Sequence, residues 1–128
     1  MGNLLLVFLG GGTGAVARYL VGVGYVRTLG PNQPFPATFY INIAGGLLMG
    51  LLVGALALRG GAAQDRWRIL LGVGVLGGFT TFSSFSLETV LMIQRRTYGL
   101  AAGYVLGSVA LSILAAMTGL FLMRRLAP

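Results

Sequence analysis

Cysteine, histidine and lysine are all absent from this 128-residue chain, and acidic residues are limited to Asp65 and Glu88. Without cysteine there is no disulfide framework and no thiolate chemistry. No zinc ligand set, nucleophile–base pair or phosphate-binding loop can be assembled, because the glycine runs lie inside apolar segments rather than between a strand and a helix. Catalysis is therefore not expected. Charge is scarce as well: 9% of the residues are charged, against about a quarter in a soluble domain. A basic n-region is missing from Met1-Gly2-Asn3, so no cleaved signal peptide is expected.

Apolar sequence fills the space. Hydrophobic residues make up 56% of the chain and the mean hydropathy is +0.89, which marks an integral membrane protein. Four apolar runs, near residues 4–26, 37–58, 69–93 and 98–123, each suffice for a membrane core of roughly 30 Å. Pro31, Pro34 and Pro36 mark the first loop, residues 59–68 with Gly60, Gly61 and Trp67 the second, and a tight Gln94-Arg95-Arg96-Thr97 turn the third. Nothing remains for a soluble domain. Residues 1–128 form one all-α unit of four transmembrane helices.

Nine arginines give a net charge of +7, and they stand singly or in pairs at the ends of the apolar runs. That placement suits membrane anchoring better than nucleic-acid binding. Arg59, Arg66, Arg68, Arg124 and Arg125 fall on one side, and Arg27, Arg95 and Arg96 on the other. Such a small bias is compatible with one fixed orientation or with insertion in both, and the second allows an antiparallel homodimer.

The third run carries the least ordinary stretch, Gly77-Gly78-Phe79-Thr80-Thr81-Phe82-Ser83-Ser84-Phe85-Ser86, with Glu88 just beyond. Five hydroxyl side chains lie within positions 80–86, and lipid does not tolerate such a segment unsatisfied. It faces protein, water or an ion. Phe79, Phe82 and Phe85 share one side of a helix, which suits core packing or a ring-lined wall. Thr81, Ser84 and Glu88 follow the adjacent line. The glycine pair makes its turn easy to unwind, predicting a break between Gly77 and Thr81. A broken membrane helix frees carbonyls that line a cavity or bind an ion, and two copies offer an all-oxygen cage for a small hard cation. Phenyl rings present a positive edge to an anion.

Companions lie on the other runs. Thr38 and Asn42 are one turn apart, and the asparagine either glues helices together or offers uncharged donors to an anion. Tyr104, Ser108 and Ser112 form a polar stripe at four-residue intervals. Arg18, deep in the first run, either snorkels to the interface or lines an anion vestibule. Gly10 and Gly14, the ladder Gly46, Gly50 and Gly54, and the ladder Gly99, Gly103 and Gly107 have the spacing of close helix contacts.

Three of these segments, GGTGAVARY at Gly11 to Tyr19, TFYINIAG at Thr38 to Gly45 and GGFTTFSSFSLE at Gly77 to Glu88, resemble the Fluc (CrcB-like) fluoride channel family over essentially the whole chain. The resemblance implies an antiparallel, dual-topology homodimer in the bacterial inner membrane, with two pores that export fluoride passively. It implies a structural sodium ion at the dimer centre, held by the main-chain oxygens of Gly77 and Thr80. Phe82 and Phe85 become an aromatic box, Asn42 orients the rings and receives fluoride, and Thr38, Ser83, Ser84, Tyr104, Ser108 and Ser112 supply a polar track. Arg18 and Glu88 take vestibule or structural roles. The nearest alternative is a small multidrug-resistance-type, proton-coupled exporter. Such proteins carry a carboxylate in the first helix, where this chain has Arg18 and no Asp or Glu. A third reading is a structural subunit whose glycine ladders only assemble a larger complex.

Overall fold

A computed structural model describes residues 2–59 and 63–126, all of them in helices or short connections. Residues 60–62 of the expected second loop lie outside the described residues. The elements in order are α1 (Gly2–Leu29), α2 (Ala37–Arg59), α3 (Ala63–Trp67), a π-helical stretch (Arg68–Leu76), α4 (Gly77–Phe79), α5 (Phe82–Gln94) and α6 (Tyr98–Arg125). From α3 to α5 the chain makes one span, Gln64–Gln94, so four segments are long and apolar enough to cross a membrane. The protein is a multi-pass membrane protein, and its spans fall where the apolar runs predict.

The ends follow local chemistry. Gly30, at φ +83°, ends α1 by donating its N–H to the Val26 carbonyl at 3.0 Å, and Pro31 bars continuation. The turn at 94–97 closes α5 in the same left-handed way, but with Arg96 at φ +60°. Arg96 N–H reaches the Ile93 carbonyl at 2.9 Å and Thr97 N–H the Met92 carbonyl at 3.0 Å.

Glycine sets the helix spacing. In lipid no hydrophobic force drives helices together, so close backbone contact must hold them. A Cβ on Gly46 would stand 2.7 Å from the Ser112 carbonyl oxygen, and one on Gly10 would stand 2.9 Å from Gly74 Cα. Thus α2 lies on α6 and α1 on the π-helical stretch. The ladder at Gly99, Gly103 and Gly107 works differently. Gly99 meets nothing within 4 Å, while Gly103 and Gly107 accept the rings of Phe35 and Phe39. The backbone approach on α6 is made at Gly119 instead, whose Cβ would lie 2.7 Å from Leu51 N.

The third span is broken, as expected within 77–81, but not at its glycines. Gly77 is helical at φ −64°, ψ −38°, whereas Thr80 (−84°, 158°) and Thr81 (−153°, 119°) are extended. Gly78 is occupied in packing, since a Cβ there would stand 3.1 Å from Gly11 Cα. Two consecutive β-branched residues are the weaker helix formers, and threonine suits an N-cap. The π-helical stretch just before the break has no counterpart in the sequence reading. Its last wide turn closes when Gly77 N–H reaches back five residues to the Gly72 carbonyl.

Candidate functional site: a broken helix between two cavities

Around the break several backbone groups take partners outside the helix pattern. The Leu76 carbonyl accepts the Thr80 N–H at 3.0 Å and the Thr80 hydroxyl at 2.9 Å. In an unbroken helix Thr81 N–H would close on the Gly77 carbonyl. Here it donates to Asn42 Oδ1 at 2.9 Å, and Asn42 Nδ2 donates back to the Thr81 carbonyl at 3.1 Å. The Gly77 carbonyl thereby loses its α-helical donor, and no donor among the described residues meets the Thr80 carbonyl. The Thr81 hydroxyl caps α5, accepting the Ser84 N–H at 3.2 Å, and also pairs with the Ser83 and Ser84 hydroxyls at 3.2 Å each.

On one side of this junction a groove of about 410 Å³ runs between α2, α5 and α6. Asn42, Thr80, Thr81, Phe82, Phe85, Ser108 and Ser112 line it. The two phenyl rings, with centroids 5.5 Å apart and planes at 43°, differ in setting: Phe85 is buried and Phe82 is 78% exposed. Ser108 Oγ is buried with no hydrogen-bond partner among the described residues, an unusual state for a polar atom.

On the other side lies a cavity of about 720 Å³, whose walls include Arg18, Thr38, Ser84, Glu88 and Arg95. The line Thr81, Ser84, Glu88 faces it as a unit. Both oxygens of Glu88 are met by hydroxyls, Thr38 Oγ1 at 2.8 Å and Tyr104 Oη at 2.5 Å. Two arginines on the wall against one carboxylate leave this space attractive to anions.

The candidates therefore separate into groups. Asn42, Phe82, Phe85, Ser108 and Ser112 come together on the groove, and Arg18, Thr38, Ser84 and Glu88 on the wider cavity. Tyr104 and Ser83 line neither space. Tyr104 is fully buried, 5.3 Å from the Phe85 ring, and works through Glu88. Ser83 is exposed and reaches only Thr81. The stripe on α6 is thus continuous along the helix but divided between two tasks. Phe79 is half-buried beside the α1 and α2 backbones, whose Gly14 and Gly45 it approaches. Thr81, the hub of the junction, is the residue that sequence reasoning left out of the candidate set. The N-cap preference of threonine three residues before Ser84 was the signal for it.

Among the described residues no three His, Cys, Asp or Glu side chains gather into a metal site. Any cation here would depend on main-chain oxygens.

Comparison with known proteins agrees with this architecture. The family described as CrcB-like protein, Camphor Resistance (CrcB), matches residues 5–120. A Phenylobacterium zucineum protein named fluoride-specific ion channel FluC is 63% identical over 125 residues, covering 98% of each chain. Proteins of the same name from a Caulobacter species and from Caulobacter vibrioides are 60% and 58% identical, again over 98% of each chain. The chain belongs to the CrcB-like protein family.

Proposed function

We propose that this protein is a fluoride-selective channel, not an enzyme, that lets fluoride leave the cell passively across the bacterial inner membrane. The observation that carries the reading is the groove. It sits at a helix break inside a membrane protein, it is bounded by two phenyl rings and uncharged hydroxyls, and it holds the unpartnered Ser108 Oγ. Similarity to relatives named fluoride-specific ion channels supplies the ion. Fluoride enters acidified cells as hydrogen fluoride and is trapped on dissociation, so a passive exit route lowers its cytoplasmic level.

In this reading the cationic wall of the wider cavity gathers anions, and the groove conducts them. Phe82 and Phe85 offer ring edges, while Ser108 and Ser112 offer hydroxyl donors without fixed charge. Asn42 acts chiefly by holding the break through Thr81, since both ends of its amide are engaged there. Ser84 stands at the vestibule side, and Thr38 and Tyr104 hold Glu88 in place. A narrow passage with matched donors favours a small, strongly hydrated anion over chloride.

The working unit is an antiparallel homodimer with two pores. The largely exposed Phe82 and the nearly balanced loop charges favour a second, inverted copy, so that Phe82 of one copy completes a pore with Phe85 of the other. Sodium fits the centre of such a dimer. Gly77 loses its helical donor and the Thr80 carbonyl has none among the described residues, so two copies would supply four main-chain oxygens suited to a hard cation. Bound there, a sodium ion would offset the dipoles of those carbonyls. Proton-coupled export is disfavoured, because α1 carries Arg18 and no carboxylate.

Fluoride efflux from liposomes containing only this protein tests the proposal. The protein is expected to release trapped fluoride with little dependence on pH, and Phe82→Ile to abolish release while the dimer still elutes intact. Absent flux, or flux coupled to protons or drugs, would refute it.

A further inference from the structure

The cavity on the arginine side and the groove on the phenyl side are separate spaces, and one residue stands in the wall of both. That residue is Thr81. It is held from two directions. Its backbone is clamped by the Asn42 amide at 2.9 and 3.1 Å, and its hydroxyl is fixed by the Ser84 N–H and the Ser83 and Ser84 hydroxyls. Only 8% of its surface is exposed. Withdrawing it would break either the clamp or the cap of α5. Beyond it Ser108 lines the groove, and its buried hydroxyl has no hydrogen-bond partner among the described residues.

We propose that Thr81 is the partition an anion crosses between the two spaces, and that the bulk of its γ-methyl group sets the largest halide that passes. The inference rests on the channel reading above. The hydroxyl bonds fix the side-chain rotamer and so fix where the methyl group stands. A neck that is held rigidly discriminates by size, because its walls do not give way to a larger ion. Serine at this position keeps the hydroxyl and every bond it makes, and removes only the methyl group.

Parallel efflux of fluoride and chloride from proteoliposomes tests this. Wild-type protein that passes no fluoride overturns the channel reading and this inference with it. With wild-type fluoride efflux intact, Thr81→Ser is expected to raise the ratio of chloride to fluoride efflux about tenfold, the scale of discrimination that one small apolar group supplies. Chloride exclusion equal to wild type in Thr81→Ser overturns the inference alone. So does a parallel fall in both fluxes, which is the signature of a merely structural residue. A second variant is independent of selectivity. The chain has no cysteine, so Thr81→Cys offers one position to a small methanethiosulfonate, which forms a mixed disulfide as sulfinate leaves. Full labelling is expected to stop fluoride efflux, and undiminished efflux from fully labelled protein overturns the inference.

Discussion

Asn42 offers the sharpest test of how the break is held. Its amide supplies one acceptor and one donor to the backbone of Thr81, at 2.9 and 3.1 Å, across 39 residues of chain. Asn42→Ser shortens the side chain beyond reach of both groups; the Thr81 carbonyl, at the N-cap of α5, keeps its helical donor, but the N–H is stranded inside the membrane. A buried polar group left without its partner costs about 1–3 kcal/mol, and here that group is the Thr81 N–H. Interhelical hydrogen bonds measured in membranes average only about 0.6 kcal/mol each, because the unfolded chain finds other partners there. The two figures bracket a loss of about 1–3 kcal/mol, and a value near 2 kcal/mol is expected. Denaturant titration in mixed micelles reads the stability, and proteoliposome efflux reads the function. The variant should assemble, unfold earlier and lose fluoride flux, because Thr81 and the rings after it are no longer fixed. A titration that overlays wild type refutes the clamp. A destabilised variant with full flux refutes its link to the ion path.

Two further outcomes test the frame around the site. Gly46→Ala places a Cβ 2.7 Å from the Ser112 carbonyl, where only backbone can yield, and should cost about 1–3 kcal/mol by prising α2 from α6; the same micelle titration measures it. Gly99→Ala, which meets nothing within 4 Å, should lack that penalty. Arg96→Gly relieves a left-handed residue at φ +60° and should stabilise the turn by about 1 kcal/mol, seen as a higher unfolding midpoint with unchanged flux.

The placement of the four spans needed no tertiary information. Apolar length decides whether a segment crosses a bilayer, and Pro31, Gly30 and the arginine turn mark ends by rules that act within a few residues. For the same reason the polar stretch at 80–86 was legible as a candidate site, since hydroxyls in a membrane span must face something other than lipid. The family, too, was legible in three short segments. Where the third helix breaks was not. The glycines were the weaker helix residues on paper, but Gly78 is spent on the approach to Gly11, so the chain opens at Thr80 and Thr81, where Asn42 takes the N–H that Gly77 would have kept.

Long-range contact also redistributed the side chains. Asn42 and Thr38 share a helix face in sequence, yet one turns to Thr81 and the other to Glu88, 50 residues away. Tyr104 heads the stripe on α6 but is buried behind the cavities, while Ser108 and Ser112 reach the groove. Composition and spacing determined that this chain spans a membrane four times with a polar seam in its third crossing, because those outcomes depend on local hydropathy and on periodicity. Only the packing of one helix on another decided which polar atoms satisfy each other, because in lipid every such group must find its partner across the fold.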